Sequence, residues 1–319
     1  MTYSLVARDP ATGALGIAVQ SHFFGVGRVV GWARPGVGAV ATQAFAEIGY
    51  GPRGLDLMAA GASAEEALAQ LTADDPGAAL RQVAFADGSG RCAAHTGAAC
   101  VAAAGHAFGD EVSAQGNMLA SARVWPAMLD AYAEAAAAGE ELPARLLAAL
   151  DAAEAEGGDL RGRQSASIFV VAAEPRERPW EATLVDCRVD DHPAPLPELR
   201  RLVQLNGFYA RLLELMSAPG ILNGPLVADR AALSAALADL ADGQALLGVN
   251  QEAAFWRGVL LARLGDHAAA REQLAGAIAV TPALAEFLRR VAPGVFPGDA
   301  AAVLAAVAPA GAQCGSLKP

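Results

Sequence analysis

The chain opens MTYSLVARDPATGALGIAVQS, residues 1–21, and the phase of this stretch decides the fold. Tyr3, Leu5 and Ala7 alternate with Thr2, Ser4, Val6 and Arg8, the period of two that sends successive side chains to opposite faces of a strand. Asp9-Pro10-Ala11-Thr12-Gly13 supplies a turn, because Pro presets φ and Gly accepts a positive one. Leu15 to Ser21 is the return strand. It is almost wholly apolar, which predicts a strand covered on both faces rather than a half-wetted edge. A buried hairpin led by a hydroxyl at residue 2 raises the question of what that hydroxyl is for.

Outward from the hairpin, further strands are expected at 28–33 and 37–43, then a helix over 52–60. A second helix opens at Ser63-x-x-Glu66, a capping box in which each side chain bonds the other residue's backbone amide. Strands follow at 80–86, 91–96, 106–108 and 112–115, helices at 125–138 and 143–156, and strands at 165–172 and 181–189. Helices arrive in pairs rather than after every strand, so a doubly wound parallel sheet is disfavoured. Antiparallel sheets covered by helix pairs predict an α+β fold arranged as a four-layer αββα sandwich over residues 1–189.

Asp190-Asp191-His192-Pro193-Ala194-Pro195-Leu196-Pro197 carries three prolines in five residues and is expected to be a stiff linker, 190–197. Residues 198–319 read as all-helical. Within them Gly258, Leu261, Gly265, Ala270, Leu274, Ala277 and Pro282 have the spacing of one tetratricopeptide-like hairpin, whereas a solenoid needs about three such repeats.

Composition narrows the function. With 54% apolar residues the chain has ample core, and 23 Lys plus Arg against 34 Asp plus Glu give a net charge of −11. No basic run or aromatic-basic stripe occurs, so nucleic acid and anionic membrane are poor partners. Apolar stretches are too short to span a bilayer. Cys92, Cys100, Cys187 and Cys314 show no C-x-x-C spacing, and no secretory segment is expected ahead of the hairpin. The cysteines are therefore expected to be reduced thiols and the location cytoplasmic.

Thr2 is the first chemical candidate. Aminopeptidases remove the initiator Met when residue 2 is small, which would leave an amine and a hydroxyl on one residue. An α-amine titrates at about 7.7 to 8.0, close enough to neutrality to serve as general base toward its own hydroxyl. The competing reading is a β-favouring residue of no chemical role. Ser4 shares its face and is a remoter nucleophile. Ser21, ending the antiparallel return strand, should finish beside Thr2 and bond the amine or pass a proton, unless it is an ordinary strand-end serine. Thr42 and Gln43 are polar in an Ala/Val run and need partners, which makes them candidates for substrate contacts.

Asn117, expected where a strand gives way to a helix, is a candidate oxyanion donor or a plain turn residue. Asp159 and Arg161 or Arg163 predict a loop-shaping ion pair, and Gln164 and Ser165 open a strand as candidate substrate contacts. Gly25-x-Gly27-x-x-x-Gly31 misses the dinucleotide fingerprint and precedes a strand. His22, His95 and His106 lack metal-ligand spacing. A Cys92 or Cys100 nucleophile near His95 is a weaker alternative.

Six ordered blocks, MTYSLVARDPATGALGIAVQS, GVGAVATQA, YGPRGLDLMAAG, HTGAAC, AQGNML and GGDLRGRQSASIFVV, resemble an uncharacterised bacterial and archaeal family of Ntn-hydrolase-like proteins, the domain of unknown function numbered ten twenty-eight. The likeness covers residues 1 to about 190. It implies the αββα sandwich of N-terminal nucleophile hydrolases and no particular substrate. The family often has Asn where this chain has Glu47. Members commonly carry a C-terminal domain of the peptidoglycan-binding type, which this helical tail resembles less than it does a tetratricopeptide hairpin.

The expectation is therefore an amidohydrolase acting on a small amide or peptide-like substrate. Thr2 is the nucleophile, Asn117 or a backbone amide holds the oxyanion, and no metal or cofactor is required. The alternative is a non-catalytic ligand- or protein-binding module on the same fold, with the helical tail docking a protein partner. A homo-oligomer is left open.

Overall fold

The structure, a computed structural model, describes residues 2–226 and 229–307. Met1 and Cys314 therefore lie outside the described residues. The chain is α+β, with antiparallel sheets in its first part and a helical C-terminal region. It divides into two compact units between Val203 and Gln204.

The first unit begins with β1 (Thr2–Arg8) and β2 (Leu15–Ser21), followed by β3 (Gly31–Arg34), β4 (Gly38–Ala44), α1 (Tyr50–Ala59) and α2 (Ala64–Ala73). Next come β5 (Arg81–Asp87), β6 (Cys92–Thr96), β7 (Gly105–Gly109), β8 (Val112–Asn117), α3 (Val124–Ala137), α4 (Leu142–Ala155), β9 (Ser165–Val171) and β10 (Thr183–Val189). Six strands form one sheet in the order β10-β9-β2-β1-β8-β7, and four form another, β3-β4-β5-β6. Every pairing is antiparallel.

Strand phase distributes the core as the alternation demands. Tyr3, Leu5 and Ala7 share a buried cluster with Met128 of α3 and Leu146 and Leu150 of α4. Val6, on the other face of β1, packs with Ile17 and Val19 and with Ala39, Ala41, Ala84 and Ala86 of the four-stranded sheet. On that sheet's far face Val40, Val83 and Phe85 join Leu55 and Met58 of α1 and Leu68 and Leu71 of α2. Gly54 lets α1 approach this closely, since a Cβ there would fall 2.4 Å from the Phe85 ring. The Ser63–Glu66 capping box forms as expected at the start of α2.

The structure adjusts three sequence expectations. The stretch 28–33 is not one strand: Gly25, with φ +62°, leads into a single 3-10 turn at Val26–Arg28, and β3 starts only at Gly31. No helix directly follows Asn117, because Met118 adopts φ +61° and α3 begins at Val124. Pro195, Leu196 and Pro197 do not form an extended linker. They are the first turn of α5 (Pro195–Ser217), where proline's missing N–H would have had no helical partner anyway. The division of the chain accordingly falls inside this helix rather than across 190–197.

The second unit contains the rest of α5 together with α6 (Arg230–Leu247), α7 (Glu252–Arg263), α8 (His267–Val280), α9 (Ala283–Val295) and α10 (Ala300–Ala305). Its core joins Leu212, Leu240, Phe255, Val259, Leu274 and Leu288. The Arg263 side chain is fully buried there, paired with Asp299 at 3.0 Å and donating to the carbonyls of Ile221 and Gly224. No helix among the described residues is long and apolar enough to cross a membrane.

Candidate functional site

Register lines up four polar residues across the larger sheet. Thr2 pairs with Asn117 of β8, Tyr3 pairs with Gln20 so that Ser21 arrives beside Thr2, and Ser21 pairs with Ser165 of β9. Residues directly opposed in a sheet point to the same face, here the one that meets the smaller sheet. In that smaller sheet Gln43, Gln82 and Thr96 pair in a second polar row. All seven side chains belong to strands, which hold them more rigidly than loops would.

The hydrogen bonds between the rows fix the orientation of each amide. Gln82 Nε2 lies 2.7 Å from the carbonyl of Gly116, 3.0 Å from that of Gly105 and 3.0 Å from Thr96 Oγ1, so it is the donor end. Gln82 Oε1 must then accept, and it does so from Gln43 Nε2 at 2.8 Å and Asn117 Nδ2 at 2.9 Å. Gln43 Nε2 also donates to the carbonyl of Thr2 at 3.1 Å, while its Oε1 accepts from Ser4 Oγ at 2.7 Å. Gln115 Nε2 bonds Ser4 Oγ and the Ala41 carbonyl. Thr2 Oγ1 and Ser21 Oγ are 3.0 Å apart, and either can be the donor.

Several of these groups keep unused capacity. Asn117 is 1% exposed, its Oδ1 accepts no hydrogen bond among the described residues, and only one of its amide hydrogens is committed. Gln115 Oε1 is likewise buried without a donor among the described residues. Such atoms are costly in a settled core; Asn117 is paired with Thr2 across the sheet, and neither it nor Gln115 is among the residues that line the cavity at Thr2.

A cavity of about 470 Å³ opens onto this array, with Thr2, Ser21 and Gln43 among its lining residues. Val26, Val29, Val30, Phe23, Phe45 and Ile48 supply apolar wall, and Arg81 and Arg161 its charge. Asp159, whose side chain is fully buried, accepts from Arg161 and from the backbone N–H of His22, latching the 159–161 loop beside Ser21. The ion pair expected of Asp159 is thus made by Arg161, whereas Arg163 pairs with Glu154.

The other sequence candidates take supporting places. Thr42 lies on the opposite face of β4 from Gln43, and its hydroxyl donates to the Glu47 carbonyl. Gln164 faces Asp191, its amide nitrogen 3.1 Å from that carboxylate. Ser165 Oγ donates to the Phe23 carbonyl and accepts from the Val26 amide, tying down the loop that carries two wall residues. Cys92 is an unfavourable nucleophile, since burial pushes its thiol up to about 12, and its neighbours Asp87 and Glu111 push the same way. Sequence reasoning missed Gln82, Arg81 and the apolar wall. For Gln82 a signal existed, a glutamine in phase with Ala84 and Ala86 on the inner face of β5.

Arg81 is set by Asp75, whose Oδ2 accepts from its Nε at 2.8 Å. This hydrogen bond, aided by the Gly77 amide, holds the Asp75 carboxyl below its ordinary 3.8. A carboxyl depressed in the folded state stabilises above its unfolded value and loses that contribution as pH falls through the folded one. The stability lost in Asp75→Asn should therefore be constant near neutrality, shrink as pH falls below 3.8 and vanish only below the depressed folded value, as read from urea midpoints. A difference that persists unchanged in strong acid would contradict the pairing.

Comparison with known proteins places this chain in a family. A family model described as "Family of unknown function (DUF1028)" matches residues 2–199. The crystal structure of protein SPO2555 from Silicibacter pomeroyi, which carries the same family designation, is similar with 33% identity and a TM-score of 0.59. The match covers 67% of this chain and 94% of that one. No protein of curated function matches the sequence.

Proposed function

The chain belongs to DUF1028, a family whose function is unknown, so we propose an activity from the geometry around Thr2 itself: hydrolysis of an amide by an N-terminal threonine nucleophile. The observation that carries this reading is the Thr2 hydroxyl at a cavity wall, 3.0 Å from Ser21 Oγ, in a row that also holds Asn117. Removal of Met1 makes the Thr2 nitrogen a primary amine on the nucleophile's own residue. That amine takes the hydroxyl proton as Oγ1 attacks the carbonyl carbon.

The oxyanion accepts a hydrogen bond from the second amide hydrogen of Asn117, whose orientation Gln82 enforces. Collapse of the intermediate expels the amine half, which leaves with the proton held by the Thr2 amine. Water, deprotonated by the same amine, then attacks the Thr2 ester and releases the acid. Ser21 orients the hydroxyl through its hydrogen bond and relays the proton. Gln43 holds the Thr2 backbone in place through its carbonyl.

The three packed clusters support the finer fold reading, an Ntn-type αββα sandwich in the order α3–α4, six-stranded sheet, four-stranded sheet, α1–α2. In the second unit Gly258 sits where a Cβ would meet Leu274 at 2.6 Å, which supports reading α7–α8 as a tetratricopeptide-like hairpin.

N-terminal sequencing of the purified protein tests the premise. Threonine in the first cycle is the expected result. Methionine in the first cycle removes the proposed base and leaves the array as a binding site.

A further inference from the structure

The charged residues lining the cavity at Thr2 are both arginines, and they come from different segments. Arg81 starts β5, while Arg161 lies in the loop between α4 and β9. Each is aimed by an acid that does not itself line the cavity. Asp75 accepts from Arg81 Nε at 2.8 Å, and the Phe45 carbonyl accepts from Arg81 Nη1 at 2.5 Å. Asp159 accepts from Arg161 Nη2 at 3.2 Å, and its own side chain is fully buried. Both guanidiniums are thus held in ion pairs, and of the paired groups only the arginines are among the residues that line the cavity. A planar guanidinium fixed in this way is suited to a carboxylate.

The rest of the lining is apolar, and three of its large side chains are left in solvent: Phe23 is 51% exposed, Phe45 60% and Ile48 46%. Large apolar groups gathered at a cavity mouth mark a surface that a ligand covers. Arg81 donates to the Phe45 backbone carbonyl, and both residues line the same cavity.

We propose that the cavity takes an N-acyl amino acid, its apolar acyl chain against Phe23, Phe45 and Ile48 and its carboxylate on Arg81 and Arg161. This rests on the hydrolytic reading of the same site and names its substrate class. The amide of such a molecule lies between its apolar and anionic ends, which is where the scissile bond must meet Thr2.

Binding to the Thr2→Ala protein separates this proposal from catalysis. Isothermal titration with N-octanoylglycine and with its neutral counterpart N-octanoylglycinamide should show the acid binding at least ~10-fold more tightly, the margin expected of a charge-assisted hydrogen bond. Added salt should narrow that margin. Arg161→Met in the same background should remove most of it, and Arg161→Lys should keep part of it. N-acetylglycine, with the carboxylate but no chain, should bind more weakly than N-octanoylglycine. Equal affinity for acid and neutral amide, or no binding of either, overturns the proposal, and neither result needs the arginine variants to fold. Preference for the acid with no hydrolysis by the native protein would leave this proposal standing and remove the catalytic one. Hydrolysis with equal affinities would do the reverse.

Discussion

Thr2→Ala is expected to lower amide hydrolysis by at least ~10³-fold, because it removes the atom that bonds to the substrate while sparing the rest of the array. The substitution deletes one hydroxyl facing Ser21 and leaves the backbone pairing of β1 with β2 and β8 intact. The fold should therefore survive, with a stability cost of about 0.5–1.5 kcal/mol for one hydrogen bond. Thr2→Ser keeps both amine and hydroxyl and should retain activity. The contrast separates a nucleophile from a structural threonine, since a purely structural role would leave the rate indifferent to either substitution. Initial rates on an N-acyl amino acid, with circular dichroism to confirm folding, check it. Equal rates for Thr2→Ala and the native protein would contradict it.

The second large effect is at Gln82, the residue through which the two polar rows hold each other. Its Oε1 accepts from both Gln43 and Asn117, and its Nε2 faces the Gly105 and Gly116 carbonyls. Gln82→Leu removes a buried hydrogen-bond partner from each of those four groups, at about 1–3 kcal/mol for any group left unsatisfied. Part of that sum is recovered as the surroundings relax, so a loss of about 3–5 kcal/mol is expected. Gln82→Glu keeps the volume and the acceptor but turns a second oxygen toward two carbonyls, and should also be strongly destabilising. Denaturant unfolding of both variants measures this. A loss below about 1 kcal/mol would mean that water substitutes readily for the amide and that the rows are not locked together.

Much of the fold was legible because its signals are local. The alternation in 2–8, the Pro-x-x-Gly turn and the apolar return strand placed β1 and β2, and the Ser63–Glu66 box placed the start of α2. The stretch from Arg28 to Val30 was misread as strand, because the end of a single 3-10 turn next to apolar residues has the same composition as a strand. Pro195 and Pro197 were read as a linker because proline breaks a helix everywhere except its first turn, and the sequence does not say where that turn falls.

The site was legible only along single strands. Antiparallel return from Thr2 to Ser21 is a local hairpin argument, and Gln43 stood out as a polar residue in an apolar run. Period two also distinguishes Thr42 from Gln43, since only Gln43 is in phase with Ala39 and Ala41, which face the other sheet. What the chain could not reveal is which distant strands face one another. Gln82 is 39 residues from Gln43 and 35 from Asn117, and its role exists only once two sheets are stacked. Arg81 and Arg161 likewise look like surface arginines until the cavity brings them together.

The central claim is that Thr2 is an activated N-terminal nucleophile, and intact mass measurement before and after exposure to a β-lactone tests it most directly. The account predicts a native mass lacking Met1 and a single acyl adduct that is absent from Thr2→Ala. A mass retaining Met1 with no adduct, or an adduct that persists in Thr2→Ala, would contradict it.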